Sequence, residues 1–144
     1  MKGSTNRREP APPQFFGFVE TTARRGTLWA AICDETGNLA PTIKQLAQAV
    51  ELRKTIEPLS RFVKLCFKHK IVVPDIRDNN QTLTHRDGRA EIILVDGFGN
   101  HLMISLRSVW PPLNNRSLVN RFEKLARQKG LRFDPHERRF VLPP

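Results

Sequence analysis

The segment from Asn115 to Leu142 constrains the chain more than any other stretch. Within it Leu118, Val119, Phe122, Leu125 and Ala126 recur at three- and four-residue steps, the spacing that gathers apolar side chains on one buried face of a helix. Gly130 follows the last of them, where a helix that closes through a left-handed residue favours glycine. Leu131-Arg132-Phe133 and Arg139-Phe140-Val141-Leu142 then flank Asp134-Pro135-His136-Glu137, which reads as two short strands around a turn. This end of the chain is expected to be a helix running straight into a hairpin.

Upstream, residues 1–13 are polar, basic and proline-rich and read as a mobile tail whose Arg7 and Arg8 are solvated. Phe15–Val19 and Thr27–Cys33 read as a strand pair with Arg24 and Arg25 in its loop and a turn at Asp34–Asn38. Phe15, Phe16 and Trp29 are assigned to the core, the usual fate of such apolar runs. Pro41-Thr42-Ile43-Lys44-Gln45 is a helix start in which Thr42 and Gln45 cap each other. Thr55 is read as the cap of a second helix, about Ile56 to Lys70, with Pro58 in its first turn. Leu59, Phe62, Val63, Leu65, Cys66 and Phe67 give that helix a buried arc wider than half its circumference. Glu57, Arg61, Lys64 and Lys68 form its polar stripe.

Pro74 to Arg89 reads as a loop, long enough to be functional or disordered. Glu91–Asp96 and His101–Leu106 around Gly97-Phe98-Gly99-Asn100 read as a hairpin. Its first strand is apolar on both faces and is expected to be covered on each. Arg61-Phe62-Val63-Lys64-Leu65 also echoes Arg121-Phe122-Glu123-Lys124-Leu125 sixty residues on, which suggests two copies of a helix-plus-hairpin unit.

At 144 residues the chain is long enough for one compact domain or two very small ones. The expected fold class is α+β. One division places residues 14–89 as a hairpin and helix pair and 90–144 as a hairpin, helix and wing-like hairpin. The alternative is a single domain over 14–144 with a central antiparallel sheet. Lys and Arg outnumber Asp and Glu by 24 to 14, a net charge of +10 that favours a polyanionic partner. Cys33 and Cys66 are too few for a disulfide framework and read as buried thiols in a reducing compartment. No apolar run approaches the roughly 20 residues of a membrane span, and the N-terminus lacks a secretory core. An intracellular protein is expected.

The C-terminal helix and basic hairpin resemble the recognition helix and wing of a winged-helix DNA-binding module. The helix pair before them is laid out like a helix-turn-helix. That resemblance implies a duplex-binding surface. Arg116, Asn120, Lys124 and Arg127 would face the major groove, where Arg reads guanine and Asn adenine. Arg132, Arg138 and Arg139 would reach backbone or minor groove. Arg61, Lys64 and Lys68 would serve the earlier copy.

No catalytic residues, metal ligands or cofactors are assigned. Cys66 and His69 have ligand spacing but no second pair to complete a site. Asp75, Asp87, Glu91 and Asp96 are the acids a metal-dependent nuclease would draw on, though most sit where turns favour aspartate. The expected partner is nucleic acid, DNA ahead of RNA, with no membrane and with a homodimer left open. RNA or single-strand binding through Phe15, Phe16, Trp29 and Trp110 is the runner-up. A protein-assembly subunit is the alternative from another class.

Overall fold

The computed structural model describes residues 13–46, 49–71, 73, 75–95 and 111–144. In chain order the elements are β1 (Phe15–Glu20), β2 (Arg25–Trp29), α1 (Ala49–Lys68), β3 (Gln81–Arg86), β4 (Arg89–Leu94), α2 (Pro111–Gln128), β5 (Arg132–Asp134) and β6 (Arg139–Val141). The chain is α+β. Among the described residues its strands form three two-stranded antiparallel ribbons, β1–β2, β3–β4 and β5–β6, rather than one central sheet.

The C-terminal helix and hairpin form as their spacing predicts. Leu118, Phe122, Leu125 and Ala126 are buried, and α2 ends where Gly130 turns to φ 63° and Leu131 N–H donates to Ala126 C=O at 2.9 Å. The end of α1 is built the same way sixty residues earlier. Ile71 N–H donates to Cys66 C=O at 2.9 Å, and Lys70 takes the left-handed residue at φ 52°. The echoed pentamers therefore share a helix end as well as a face. Both helices nevertheless feed one cluster of buried residues, in which Leu59, Val63 and Phe67 of α1 meet Ile92 and Leu94 of β4, Phe122 of α2, Phe133 of β5 and Phe140 of β6.

The expected helix-turn-helix between residues 41 and 70 is not what forms. Thr42 and Gln45 do cap each other, through Thr42 N–H to Gln45 Oε1 at 2.8 Å and Gln45 N–H to Thr42 Oγ1 at 3.3 Å, but around a short turn over residues 43–46. Beyond it α1 runs unbroken through Thr55 and Pro58. Thr55 is buried in mid-helix, its hydroxyl donating back to Leu52 C=O at 2.6 Å. An interior proline costs a helix about 3 kcal/mol. Burial of Leu52, Leu59, Val63 and Cys66, at about 1.5–3 kcal/mol for each large side chain, outweighs it.

Two further expectations change. Residues 81–86, read as loop, form β3, which pairs with β4 from Gln81↔Leu94 to Arg86↔Arg89. The partner proposed for β4, residues 101–106, lies outside the described residues, as does the tail over 1–12. Asp87 and Gly88, both at positive φ, make the tight turn that a two-residue hairpin needs. β4 is buried at Ile92, Ile93 and Leu94, as its apolar pattern required. The aromatics of β1–β2, assigned to the core, are instead exposed, with Phe16 at 58% and Phe18 at 60%. Phe15 packs on Trp29 and Phe18 within this ribbon, and the Arg25 guanidinium lies 4.1 Å over the Phe18 ring. Cys33 is exposed as well, and only Cys66 is buried.

Phe122 sits among Phe62, Phe67, Phe133 and Phe140, with ring centroids 5.7–6.5 Å away. Phe122→Ala should destabilise the protein by about 3–5 kcal/mol, read as a lowered urea midpoint. A loss under 1 kcal/mol would show that these rings do not hold the fold.

Candidate functional site

Polar loop residues between α1 and β3 are held in place by backbone. From the left-handed end of α1 the chain buries Val73 and Ile76 in the core, while Arg77 and Asn79 are exposed. Asn80 N–H donates to Arg77 C=O at 3.1 Å, Lys44 N–H to Asp78 C=O at 3.0 Å, and Ile43 N–H to Gln81 C=O at 2.8 Å. Val95 N–H donates to Asn80 C=O at 2.9 Å, so the open end of the β3–β4 hairpin closes with Asn80 beside Val95. Asp96, the next residue in sequence, lies outside the described residues. Asp75 and Asn80, five residues apart, are both half-buried.

Charge inside the loop is paired. Arg77 Nε lies 2.9 Å from Asp75 Oδ1. Lys129, from the end of α2, reaches Asp78 Oδ2 at 2.5 Å with only 7% of its side chain exposed. Gln81 is fully buried, with its amide donating to Arg77 C=O at 3.3 Å. Its Oε1 accepts no hydrogen bond from the described residues, a deficit that buried polar atoms usually avoid.

The basic residues singled out from the sequence separate into two groups. Arg116, Asn120, Lys124 and Arg127 are exposed on α2 at four-, four- and three-residue steps, and Arg132 and Arg139 are exposed on the terminal hairpin. Arg138 is engaged, its guanidinium 4.6 Å over the Phe67 ring. Arg61 is engaged too, pairing with Glu57 and donating to Ala90 C=O. Lys64 and Lys68 are exposed on α1.

The acids considered for a nuclease centre do not assemble among the described residues. Asp87 is in the β3–β4 turn, Glu91 faces Arg86 at 3.7 Å and Asp75 faces Arg77. No group of three His, Cys, Asp or Glu among the described residues is placed to hold a metal. Burial pushes the Cys66 thiol up to about 12, so it remains protonated and a poor metal ligand. No helix among the described residues is long and apolar enough to cross a membrane.

Sequence reasoning read Pro74 to Arg89 as a loop, long enough to be functional; what it missed is that residues 81–86 of it are β3 and that backbone bonds fix the part before them. Asp75, Asp78, Asn79 and Asn80 are ordinary turn residues, and the signal for the hairpin was its Asp87-Gly88 turn.

A family model for the PhoP regulatory network protein YrbL matches residues 5–130. The chain belongs to that family. No curated protein and no solved structure matches it. The family match spans β1 through α2 and takes in the whole Asp75–Asn80 loop, and it stops before β5.

Proposed function

We propose that the chain binds the phosphates of a nucleotide through a divalent cation at the Asp75–Asn80 loop. The observation that carries this reading is the 2.9 Å bond from Val95 N–H to Asn80 C=O. It brings Asn80 alongside the residue that precedes Asp96. In protein kinases a catalytic-loop Asp is followed five residues on by an Asn, and an Asp-Phe-Gly comes after the next hairpin. That Asn and the second Asp hold magnesium against the phosphates. Asp75, Asn80 and Asp96-Gly97-Phe98-Gly99 are similar in order and chemistry. They depart from it in that Val73 and Pro74 precede Asp75 where His-Arg is usual, and Gly97 separates Asp96 from Phe98. The 144 residues also hold no Gly-rich phosphate loop of the G-x-G-x-x-G kind, and the reading concerns binding alone. It replaces the expectation of no cofactor drawn from the residue pattern. Membership of a family described as part of a PhoP regulatory network is compatible with a nucleotide-responsive regulator and names no chemistry.

A calorimetric titration with ATP tests this. Heat of binding is expected with magnesium and not with EDTA, and Asn80→Ala should weaken it about tenfold, the loss of one cation ligand. Equal binding with and without magnesium, or an Asn80→Ala variant as tight as the parent, would sink the reading.

A second reading, nucleic-acid binding, is favoured by the exposed row Arg116, Asn120, Lys124 and Arg127 on α2. DNA remains ahead of RNA because a helix with Arg and Asn on one side suits a major groove. The exposed Phe15, Phe16 and Trp29 would suit stacking on unpaired bases. In filter binding, the Arg116→Ala/Arg127→Ala double variant should bind duplex more weakly and flatten the slope of log affinity against log salt by about 2. Duplex binding that is absent, or unchanged in that variant, contradicts this second reading. Preference for single strands would move the contact to the ribbon.

A further inference from the structure

Three buried side chains of β3 are polar, Gln81, Thr82 and Thr84, and they bond in different directions. Thr82 Oγ1 donates to Ile93 C=O of β4 at 3.3 Å, and Thr84 Oγ1 to Cys33 C=O at 2.6 Å. Gln81 alone of the three reaches into the Asp75–Asn80 loop, where its Nε2 donates to Arg77 C=O at 3.3 Å. That carbonyl already accepts Asn80 N–H at 3.1 Å, the bond that closes a tight turn over residues 77–80. A carbonyl oxygen has two lone pairs, so Asn80 N–H and the Gln81 amide between them occupy both. Asp78, within the same turn, is held by Lys44 N–H on its C=O at 3.0 Å and by Lys129 on its Oδ2 at 2.5 Å.

Gln81 is an unfavourable choice for stability alone. Its side chain is fully buried on a residue paired with Leu94, a core residue of β4, and its Oε1 accepts no hydrogen bond from the described residues. Turning the amide over does not remove the deficit, because Oε1 would then face the Arg77 carbonyl oxygen, acceptor against acceptor. A buried acceptor left unmet typically costs more than one long amide bond returns, and an apolar side chain of similar size avoids that cost. We infer that Gln81 is a positioning residue: its amide clamps the Arg77 carbonyl and thereby fixes the turn that presents Asn80 to the cation. Groups that orient a metal ligand in this way set the affinity of a site without touching the ion. The clamp stands on the hydrogen bonds; the cation rests on the proposed function.

The test compares the full chain with Gln81→Met, which keeps the length of the side chain and removes the amide, and with Gln81→Leu as a second apolar variant. Three quantities are read: the urea midpoint, hydrogen exchange at the Asn80 amide, and affinity for ATP with magnesium. The midpoint should hold or rise. The Asn80 amide should exchange about tenfold faster while that of Phe122 does not change, and ATP should bind about tenfold more weakly. A lowered midpoint with faster exchange throughout the chain makes Gln81 a general support of the core and overturns the inference. So does unchanged exchange at Asn80, or unchanged ATP affinity where the parent binds ATP with magnesium. Faster exchange at Asn80 where the parent binds no ATP keeps the clamp and removes the cation.

Discussion

The packing of both helices against the terminal hairpin depends on Phe122. Its ring meets Phe62 and Phe67 of α1, Phe133 of β5 and Phe140 of β6, so one side chain joins both helices to the terminal hairpin. Aromatic pairs of this kind add about 0.5–1.5 kcal/mol each beyond the area they bury. Polar bonds fix the same arrangement where the rings cannot. Ser60 Oγ donates to Ile56 C=O at 2.7 Å and accepts Phe140 N–H at 3.0 Å, tying β6 to the helix beneath it. Asn114, buried at the start of α2, donates to Ile71 C=O at 3.4 Å. That bond holds the end of α1, from which the Asp75–Asn80 loop departs.

The loop inherits its rigidity from this core. Val73 and Ile76 are anchored in it, the backbone is bonded on both flanks, and Lys129 neutralises Asp78 from the end of α2. A loop so constrained holds its backbone in place, and preorganisation of that kind makes binding at a few groups effective. The exposed β1–β2 ribbon is the opposite case. Its aromatic side chains touch one another and solvent, and a two-stranded ribbon by itself is only marginally stable.

Much of the C-terminal half was legible because its signals are periodic. The spacing of Leu118, Phe122 and Leu125 and the glycine at 130 each have one economical reading. The middle of the chain was not, because local and global preferences conflict there. Thr55 and Pro58 look like a helix start, yet the buried face from Leu52 to Cys66 carries the helix straight through them. β3 escaped notice because its buried residues Gln81, Thr82 and Thr84 are polar side chains, each donating to a backbone carbonyl. Thr84 Oγ1, for example, donates to Cys33 C=O at 2.6 Å. Only the Asp87-Gly88 turn betrayed that hairpin. The candidate site was hidden for the same reason. Asp75, Asp87, Glu91 and Asp96 were grouped by closeness in sequence, whereas strand pairing sets Asn80 beside Val95 and leaves Asp87 and Glu91 to the turn and an arginine. The basic row on α2 was read correctly as exposed, while Arg61 and Arg138 were taken up by contacts that a linear pattern does not reveal.

The proposed role of Asn80 is to hold a divalent cation against nucleotide phosphates. Manganese in place of magnesium tests it most directly, because its unpaired electrons broaden NMR signals from nearby nuclei. With ADP present, substoichiometric manganese should selectively erase the amide signals of Asn80, Gln81 and Val95, and leave those of Phe122 and Phe140 sharp. Broadening centred on any other part of the chain, or none that depends on ADP, would contradict the account.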